Sequence, residues 1–470
     1  MTETSRTSSG ALDALSARFR DNFSASTAVR AQHAESLSAL AVTLPDAVLY
    51  VESTRDVADA AAICAAHNCP LVAYGAGTSV EGHILAVQGG VVLDFSRMNA
   101  VLEVSPEDLD CRVQPGVTRE QLNHELRDKG LFFPIDPGAN ATLGGMAATG
   151  ASGTTTMRYG SMLHNVMGLE VVLADGRVVR TGGRSRKSSA GYNLTKLLIG
   201  SEGTLGLFTE LILKLHPVPQ AVVAATCAFP SIRHAVNTAM QILQSGLTVA
   251  RMELVDAASI VAINAYCHAG LVPGDYLFLE FHGGPQAVQE DAELAQEIAL
   301  AQGGAAFQSA SYTEDINKLW KYRHVAALAA LAMVPNSWML ATDLVVPFSR
   351  LSDFIAESRR KIDAARLYAV IAGHVGDGSF HVGFVLARGD DEGLGKAHAV
   401  HAWMVRRAIE LGGTCTGEHG IGIGKQEYLL LEHGSGVAVM RGIKQALDPR
   451  NILNPGKIFV APESAARLPA

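Results

Sequence analysis

Two histidines on either side of a turn give the chain its most chemically loaded segment. Residues 374 to 381 read His-Val-Gly-Asp-Gly-Ser-Phe-His. Asp377-Gly378 between alternating apolar residues signals a two-residue hairpin turn. That turn sets Val375 against Phe380 and His374 against His381, with Cβ atoms about 5 Å apart on one face of the sheet. Two imidazoles so placed can share one divalent ion. The other face carries Ile371, Val375, Phe380, Val382 and Phe384 as a core stripe, while Ala372 and Gly383 leave room beside the histidines. A pair of histidines needs a further ligand, and Cys415-Thr-Gly-Glu418-His419-Gly-Ile-Gly offers a carboxylate. A His2Glu set keeps one coordination position open for a substrate oxygen, and the neighbouring His419 can then serve as a base.

Glycine-rich loops supply a second kind of chemistry. Tyr74-Gly75-Ala76-Gly77-Thr78-Ser79 follows the strand-like run PLVAYG, and consecutive small residues expose backbone N–H groups that can hold a pyrophosphate. The glycines at 75, 77 and 82 give G-x-G-x4-G, with Glu81 where a phosphate-binding helix should begin, so the dinucleotide fingerprint is not met. Three more runs have the same character: 137–145, 149–153 and 200–206. Four such loops in one region suggest a long ligand laid against backbone.

The elements that must position these residues fall into two regions. From 42 to 220, short strands such as VLYV, GVVLDF and LEVVLADGRVV alternate with glycine turns, and Val57–His67 and Arg119–Lys129 read as helices. From 221 to 425, strands such as AVVAATCAF and YLFLEFHG alternate with alanine- and leucine-rich helices at 231–245, 286–301 and 351–365. Pro217-Val-Pro219 marks the boundary. Residues 1–41 read as a helical segment, with Leu12, Leu15, Phe19 and Phe23 on one face. Residues 426–470, which include the turn-rich DPRNILNPG, read as a tail returning to the first region. The expected class is α+β.

Composition narrows the partners. The 470 residues carry 38 Lys+Arg against 46 Asp+Glu, a net charge of −8 with no basic stripe, which argues against nucleic acid. The six cysteines form no C-x-x-C pair, and the N-terminus lacks the apolar run of a secretory signal, so a cytoplasmic protein is expected. The longest apolar run, 325–334, is half a membrane span.

The string RKSSAGYNLTKLLIGSEGTLG at 186–206, with YGAGTS, PGANATLGGMAATGASG, GEHGIG and the late NPGK, resembles the FAD-linked D-lactate dehydrogenases of the cytochrome type. The likeness runs from about 42 to 458. It implies a vanillyl-alcohol oxidase type FAD-binding domain, an α+β substrate or cap domain, and a C-terminal tail returning to the FAD domain. It implies noncovalent FAD, since nothing in YGAGTS could tether it. Gly75, Ala76, Gly77, Thr78 and Ser79 would hold the pyrophosphate. Pro137, Gly138, Thr142, Gly145, Gly150, Ser152 and Gly153 would line the flavin and ribityl chain. Ile199, Glu202 and Gly203 would sit near the adenine end or inner phosphate, and Asn454 would reach the flavin. The resemblance strengthens His374, His381 and Glu418 as ligands of zinc or manganese and His419 as the base. It adds Arg323 as the cation for a substrate carboxylate.

Positions that bind a second carboxylate in relatives acting on 2-hydroxyglutarate read here as Ala327, Ala341 and Gly383. A D-2-hydroxy monocarboxylate such as D-lactate is therefore expected, oxidised to the 2-oxo acid with electrons passed to cytochrome c, a quinone or an electron-transfer flavoprotein. A glycolate oxidase flavoprotein subunit, a D-2-hydroxyglutarate dehydrogenase and a His2Glu metallohydrolase are the competing readings. The sequence leaves a homodimer open.

Overall fold

The computed structural model describes residues 9–36 and 40–460. Residues 1–8 and 37–39 of the expected N-terminal segment, and 461–470 of the tail, lie outside the described residues. The chain divides into two compact units. One comprises Met1–Ser152, Gly160–Val218 and Glu418–Ala470, the other Gly153–Tyr159 and Pro219–Gly417. Among the described residues no helix is long and apolar enough to cross a membrane.

The first unit is built on two sheets. Ala47–Tyr50, Val91–Asp94 and Leu71–Tyr74 run parallel, rich in β-branched residues because both faces are covered. Phe23–Ser24 adds an antiparallel edge beside Ala47–Tyr50. The N-terminal stretch is thus not one helix. Ser9–Phe19 is helical and buries Leu15 and Phe19, but Phe23 begins a strand before the helix Thr27–Gln32. The helix Thr54–His67 starts at Ser53, whose hydroxyl accepts from Asp56 N–H, and buries Val57, Ala60, Ala61 and Cys64 against the parallel strands.

The second sheet is antiparallel and orders Val101–Ser105, Asp110–Val113, Leu207–Lys214, Val166–Val172 and Val178–Gly182. The run read as one strand at 169–179 is a hairpin: Asp175-Gly176 turn the chain, and Val172 pairs with Val178. The tail joins the parallel sheet, with Leu71 N–H donating to Ile452 O and Asn454 N–H to Leu71 O.

The second unit is one large antiparallel sheet in the order Ala305–Ala310, Ala221–Phe229, Asp275–Gly283, Val249–Val255, Ala369–Gly373, Ser379–Ala387 and Ser337–Ala341. Leu344–Val345 also pairs with Ser379–Ala387. Val255, Tyr276 and Phe278 on one face pack under Ile260, Ile263, Trp320, Ala326 and Ala329 from three helices, Ala257–Cys267, Thr313–His324 and Ala326–Ala332. By alternation, that face also carries the buried Glu253 and Glu280.

Candidate active site

In the first unit a cavity of about 460 Å³, within the size range of ligand pockets, opens beside the loop after Leu71–Tyr74. Gly75, Ala76, Gly77, Thr78 and Ser79 form one wall, and Pro137, Gly138, Thr142 and Gly145 another. Glu202, Gly203, Asn454, Glu418 and His419 complete it. Among the described residues, the N–H groups of Gly75 through Ser79 donate to no backbone carbonyl, and Ser79 Oγ is buried without a hydrogen-bond partner. Amides left unpaired in a cavity wall need an acceptor from a ligand, and a pyrophosphate provides one. The residues present therefore fit FAD.

Four residues read as cofactor-binding are not among those that line this cavity. Gly150 terminates the helix Leu143–Thr149, and Ser152 Oγ donates to Glu418 Oε2 at 2.7 Å. Gly153 belongs to the second unit, where its N–H donates to Thr156 Oγ1. Ile199 lies in an apolar cluster with Leu198 and Leu205.

Glu202 is on the wall, but its carboxylate is engaged with protein. It accepts from Ile421 N–H at 2.7 Å and Gly422 N–H at 2.8 Å, and lies 3.2 Å from His83 Nε2. Burial would raise its pKa, yet the His83 charge and these hydrogen bonds hold it below the usual carboxylate value. The glycines of GEHGIG make this approach workable. A Cβ on Gly420 would meet Glu202 Oε1 at 2.7 Å, one on Gly422 would meet Glu81 O at 2.1 Å, and both have positive φ. Asn454 Nδ2 donates to Glu202 O and His83 O, and Lys457 Nζ donates to Asn454 Oδ1 and Leu85 O. Burial pushes the Lys457 ammonium down to about 7 against the opposing pull of Glu202. Beside the cavity, Glu81 lies 3.2 Å from the buried Lys425 Nζ and 4.0 Å from His419 Nδ1.

In the second unit the hairpin differs from the expected register. Ala372, not His374, pairs with His381, and Ser379 N–H donates to His374 O, so four residues, 375–378, form the loop. The shift is two residues, which preserves facing because strand side chains alternate with period two. The rings accordingly still meet, with centroids 5.3 Å apart at 81°. His374 Nδ1 donates to Glu253 Oε1 at 2.6 Å and His381 Nδ1 to Thr342 O at 3.0 Å. A carboxylate and a carbonyl only accept, so both rings carry a proton on Nδ1, which leaves Nε2 as the nitrogen able to give up its proton to a metal. That is the arrangement a metal ligand needs, and the pair fits a divalent ion.

Arg323, near the end of its helix, reaches Glu253 Oε2 with Nε at 2.9 Å and Nη2 at 2.8 Å. Glu253 is wholly buried. The His374 and Arg323 charges and their hydrogen bonds outweigh desolvation and hold its pKa below the usual value. Asp343, also fully buried, accepts from Thr416 Oγ1 at 2.7 Å and Gly417 N–H at 2.8 Å, and its other oxygen is 3.8 Å from His381 Nδ1. It thereby fixes the backbone one residue before Glu418. Ala341 pairs with Gly383, and a Cβ on Gly383 would meet Met339 Sδ at 2.6 Å. The space expected there is filled by an apolar side chain. Further along the same face, Tyr159 OH bonds His282 Nδ1, and His282 Nε2 bonds Glu280 at 2.6 Å.

Sequence reasoning missed Glu253, Asp343 and Glu81. The available signal for Glu253 was alternation: Arg251 and Glu253, like Glu280 and His282, are polar residues two apart in otherwise apolar strands.

Comparison with known proteins finds two family matches along the chain. Residues 45–182 match a family described as FAD binding domain, and 218–458 match FAD linked oxidases, C-terminal domain. A zebrafish (Danio rerio) protein named probable D-lactate dehydrogenase, mitochondrial, is 45% identical over 93% of this chain and 89% of its own. An Arabidopsis thaliana D-lactate dehydrogenase [cytochrome], mitochondrial, is 42% identical over 89% of this chain and 74% of its own. The solved structure of 4-ethylphenol oxidase from Gulosibacter chungangensis superposes with a TM-score of 0.78 at 18% identity, covering 97% of each chain, a likeness of fold. The chain belongs to the FAD-linked oxidase family, with the vanillyl-alcohol oxidase type FAD-binding domain and α+β architecture that its motifs imply, in the branch of the cytochrome-type D-lactate dehydrogenases.

Proposed function

We propose that the protein oxidises D-lactate, or a D-2-hydroxy monocarboxylate of similar size, to the 2-oxo acid and passes the electrons to an external acceptor. The observation that carries this is Glu418-His419 on the wall of a cavity whose unpaired amides suit FAD. This supports His419 as a base beside a bound flavin, with Glu418 next to it as a metal ligand. When bound, FAD takes the hydride from C2, and a divalent ion, zinc or manganese, polarises the 2-hydroxyl.

The chain's own residues do the rest. His374, His381 and Glu418 would hold the ion. Arg323 binds the substrate carboxylate, and His419 takes the hydroxyl proton as the hydride leaves. Nε and Nη2 of Arg323 already serve Glu253, so the substrate meets the Nη1 side of the guanidinium. Met339 over Gly383, with Ala327 and Ala341 nearby in the relatives' binding pattern, leaves a second carboxylate unpaired, which is costly in a closed site. The names of the zebrafish and Arabidopsis relatives support D-lactate, and the second supports a cytochrome as acceptor.

Anaerobic titration of the purified, metal-replete protein with D-lactate, L-lactate, glycolate and D-2-hydroxyglutarate tests the proposal. D-lactate is expected to bleach the flavin, and L-lactate to leave it oxidised. A protein bleached by D-2-hydroxyglutarate in preference to D-lactate would overturn the monocarboxylate reading. A protein that takes up no flavin would overturn the whole.

A further inference from the structure

Glu253 lies in the middle of the strand Val249–Val255, between Met252 and Leu254, with no exposed surface. Its two oxygens take two N–H donors, His374 Nδ1 on one and Arg323 Nε on the other, with Arg323 Nη2 in ion-pair contact with the second oxygen at 2.8 Å. A buried ion cluster is a poor source of stability compared with apolar packing of the same volume. An acid in this strand therefore calls for another explanation, and its two partners supply it.

We propose that Glu253 is a positioning residue that ties His374 to Arg323, so that the tautomer of one and the approach edge of the other are set together. This rests on the reading of His374 as a metal ligand and Arg323 as the carboxylate-binding residue. Glu253 can only accept, which fixes the His374 proton on Nδ1 and presents Nε2 to the ion. The same carboxylate occupies the Nε–Nη2 edge of Arg323, which turns the remaining Nη1 donors toward the substrate. The distance between ion and substrate carboxylate is then set through one rigid link rather than two independent side chains.

Glu253→Gln separates this from a merely structural role. Glutamine offers one accepting oxygen and one donating NH2, and arginine cannot give up a proton. The amide oxygen must therefore turn to Arg323 and the NH2 to His374 Nδ1. The imidazole relieves that clash by moving its proton to Nε2, the nitrogen the ion requires. Mn2+ binding to the flavin-loaded protein, followed by EPR, is expected to weaken about 10–100-fold, with flavin content unchanged. At saturating Mn2+ the KM for D-lactate is expected to stay near wild type, because Arg323 keeps its acceptor.

Glu253→Asp keeps the charge on a side chain one methylene shorter, which cannot span both partners. It is expected to change Mn2+ affinity or KM, and it decides the matter if Glu253→Gln does not fold. Wild-type Mn2+ affinity in Glu253→Gln, or wild-type affinity and KM together in Glu253→Asp, would overturn the proposal. His374→Ala controls for the underlying reading. If it binds Mn2+ as tightly as wild type, the metal assignment falls and the inference falls with it. If it loses Mn2+ while Glu253→Gln does not, only the inference falls.

Discussion

At Asp256, burial and helix capping pull in opposite directions. Its Oδ1 accepts from Ser259 N–H at 2.8 Å and Ser259 Oγ at 2.6 Å, capping the helix Ala257–Cys267. Burial outweighs those bonds and pushes the carboxyl from 3.8 up to about 6. The unfolded chain therefore releases this proton first as pH rises, and stability is lost between about pH 4 and 6. The span corresponds to about 3 kcal/mol. Asp256→Asn keeps the capping oxygen and removes the charge, so thermal melts should show a variant more stable than wild type at pH 7 and flatter across that window. A variant less stable at every pH would contradict this. His419 makes a different single-residue case. His419→Asn retains size and a polar edge but cannot accept the hydroxyl proton, so the rate of flavin bleaching by D-lactate should fall about 10²–10⁴-fold. Bound flavin should be unchanged, since the unpaired amides at Gly75–Ser79 are untouched.

Among the elements, the short helix Thr27–Gln32 is tied to the parallel sheet by a buried pair just past its end. His33, just past its end, bonds Asp94 Oδ2 at 2.7 Å through Nε2 and Val29 O at 2.8 Å through Nδ1. Desolvation lowers the His33 pKa, but the Asp94 and Val29 bonds outweigh it and the net shift is upward. Desolvation raises that of Asp94, but His33 and Ser96 turn the net shift downward. The raised histidine contributes stability that is complete below about pH 6.5 and lost as pH rises through its folded value. The lowered aspartate contributes stability present above about pH 4 and lost on further acidification. Protection factors across residues 27–32, which correct exchange for its base-catalysed intrinsic rate, should thus be highest between those limits and lower at pH 9. In His33→Gln they should not change between pH 6 and 9.

None of this pair was legible in the sequence, because His33 and Asp94 are distant in the chain and neither belongs to a motif. The glycine loops were legible because conformation and close approach restrict their composition locally. The histidine hairpin was legible in its facing but not its register. Alternation fixes which face a residue takes, while the loop length depended on how residues 375–378 hydrogen-bond. Glu253 and Asp343 escaped because an acid within an apolar strand shows its purpose only once its partners, from other elements, are in place.

For the whole molecule, the flavin cavity and the histidine pair belong to different units. On the proposed function, chelation of the divalent ion should abolish bleaching by D-lactate while the protein keeps its flavin and colour, because the Gly75–Ser79 amides that suit the cofactor are not metal ligands. Restoring the ion should return the activity. Flavin lost in step with the metal, as read by absorbance after gel filtration, would contradict the separation. The order of segments carries one more consequence. The unit that holds the cavity begins before residue 152 but is closed by Glu418, His419 and Asn454, and its parallel sheet gains Ile452–Asn454 against Leu71. On the ribosome, nearly all of Pro219–Gly417 emerges before those last wall residues exist. The nascent chain must therefore carry an unfinished cradle while Pro219–Gly417 is being made, and cofactor capture waits on the synthesis of residues 418–454.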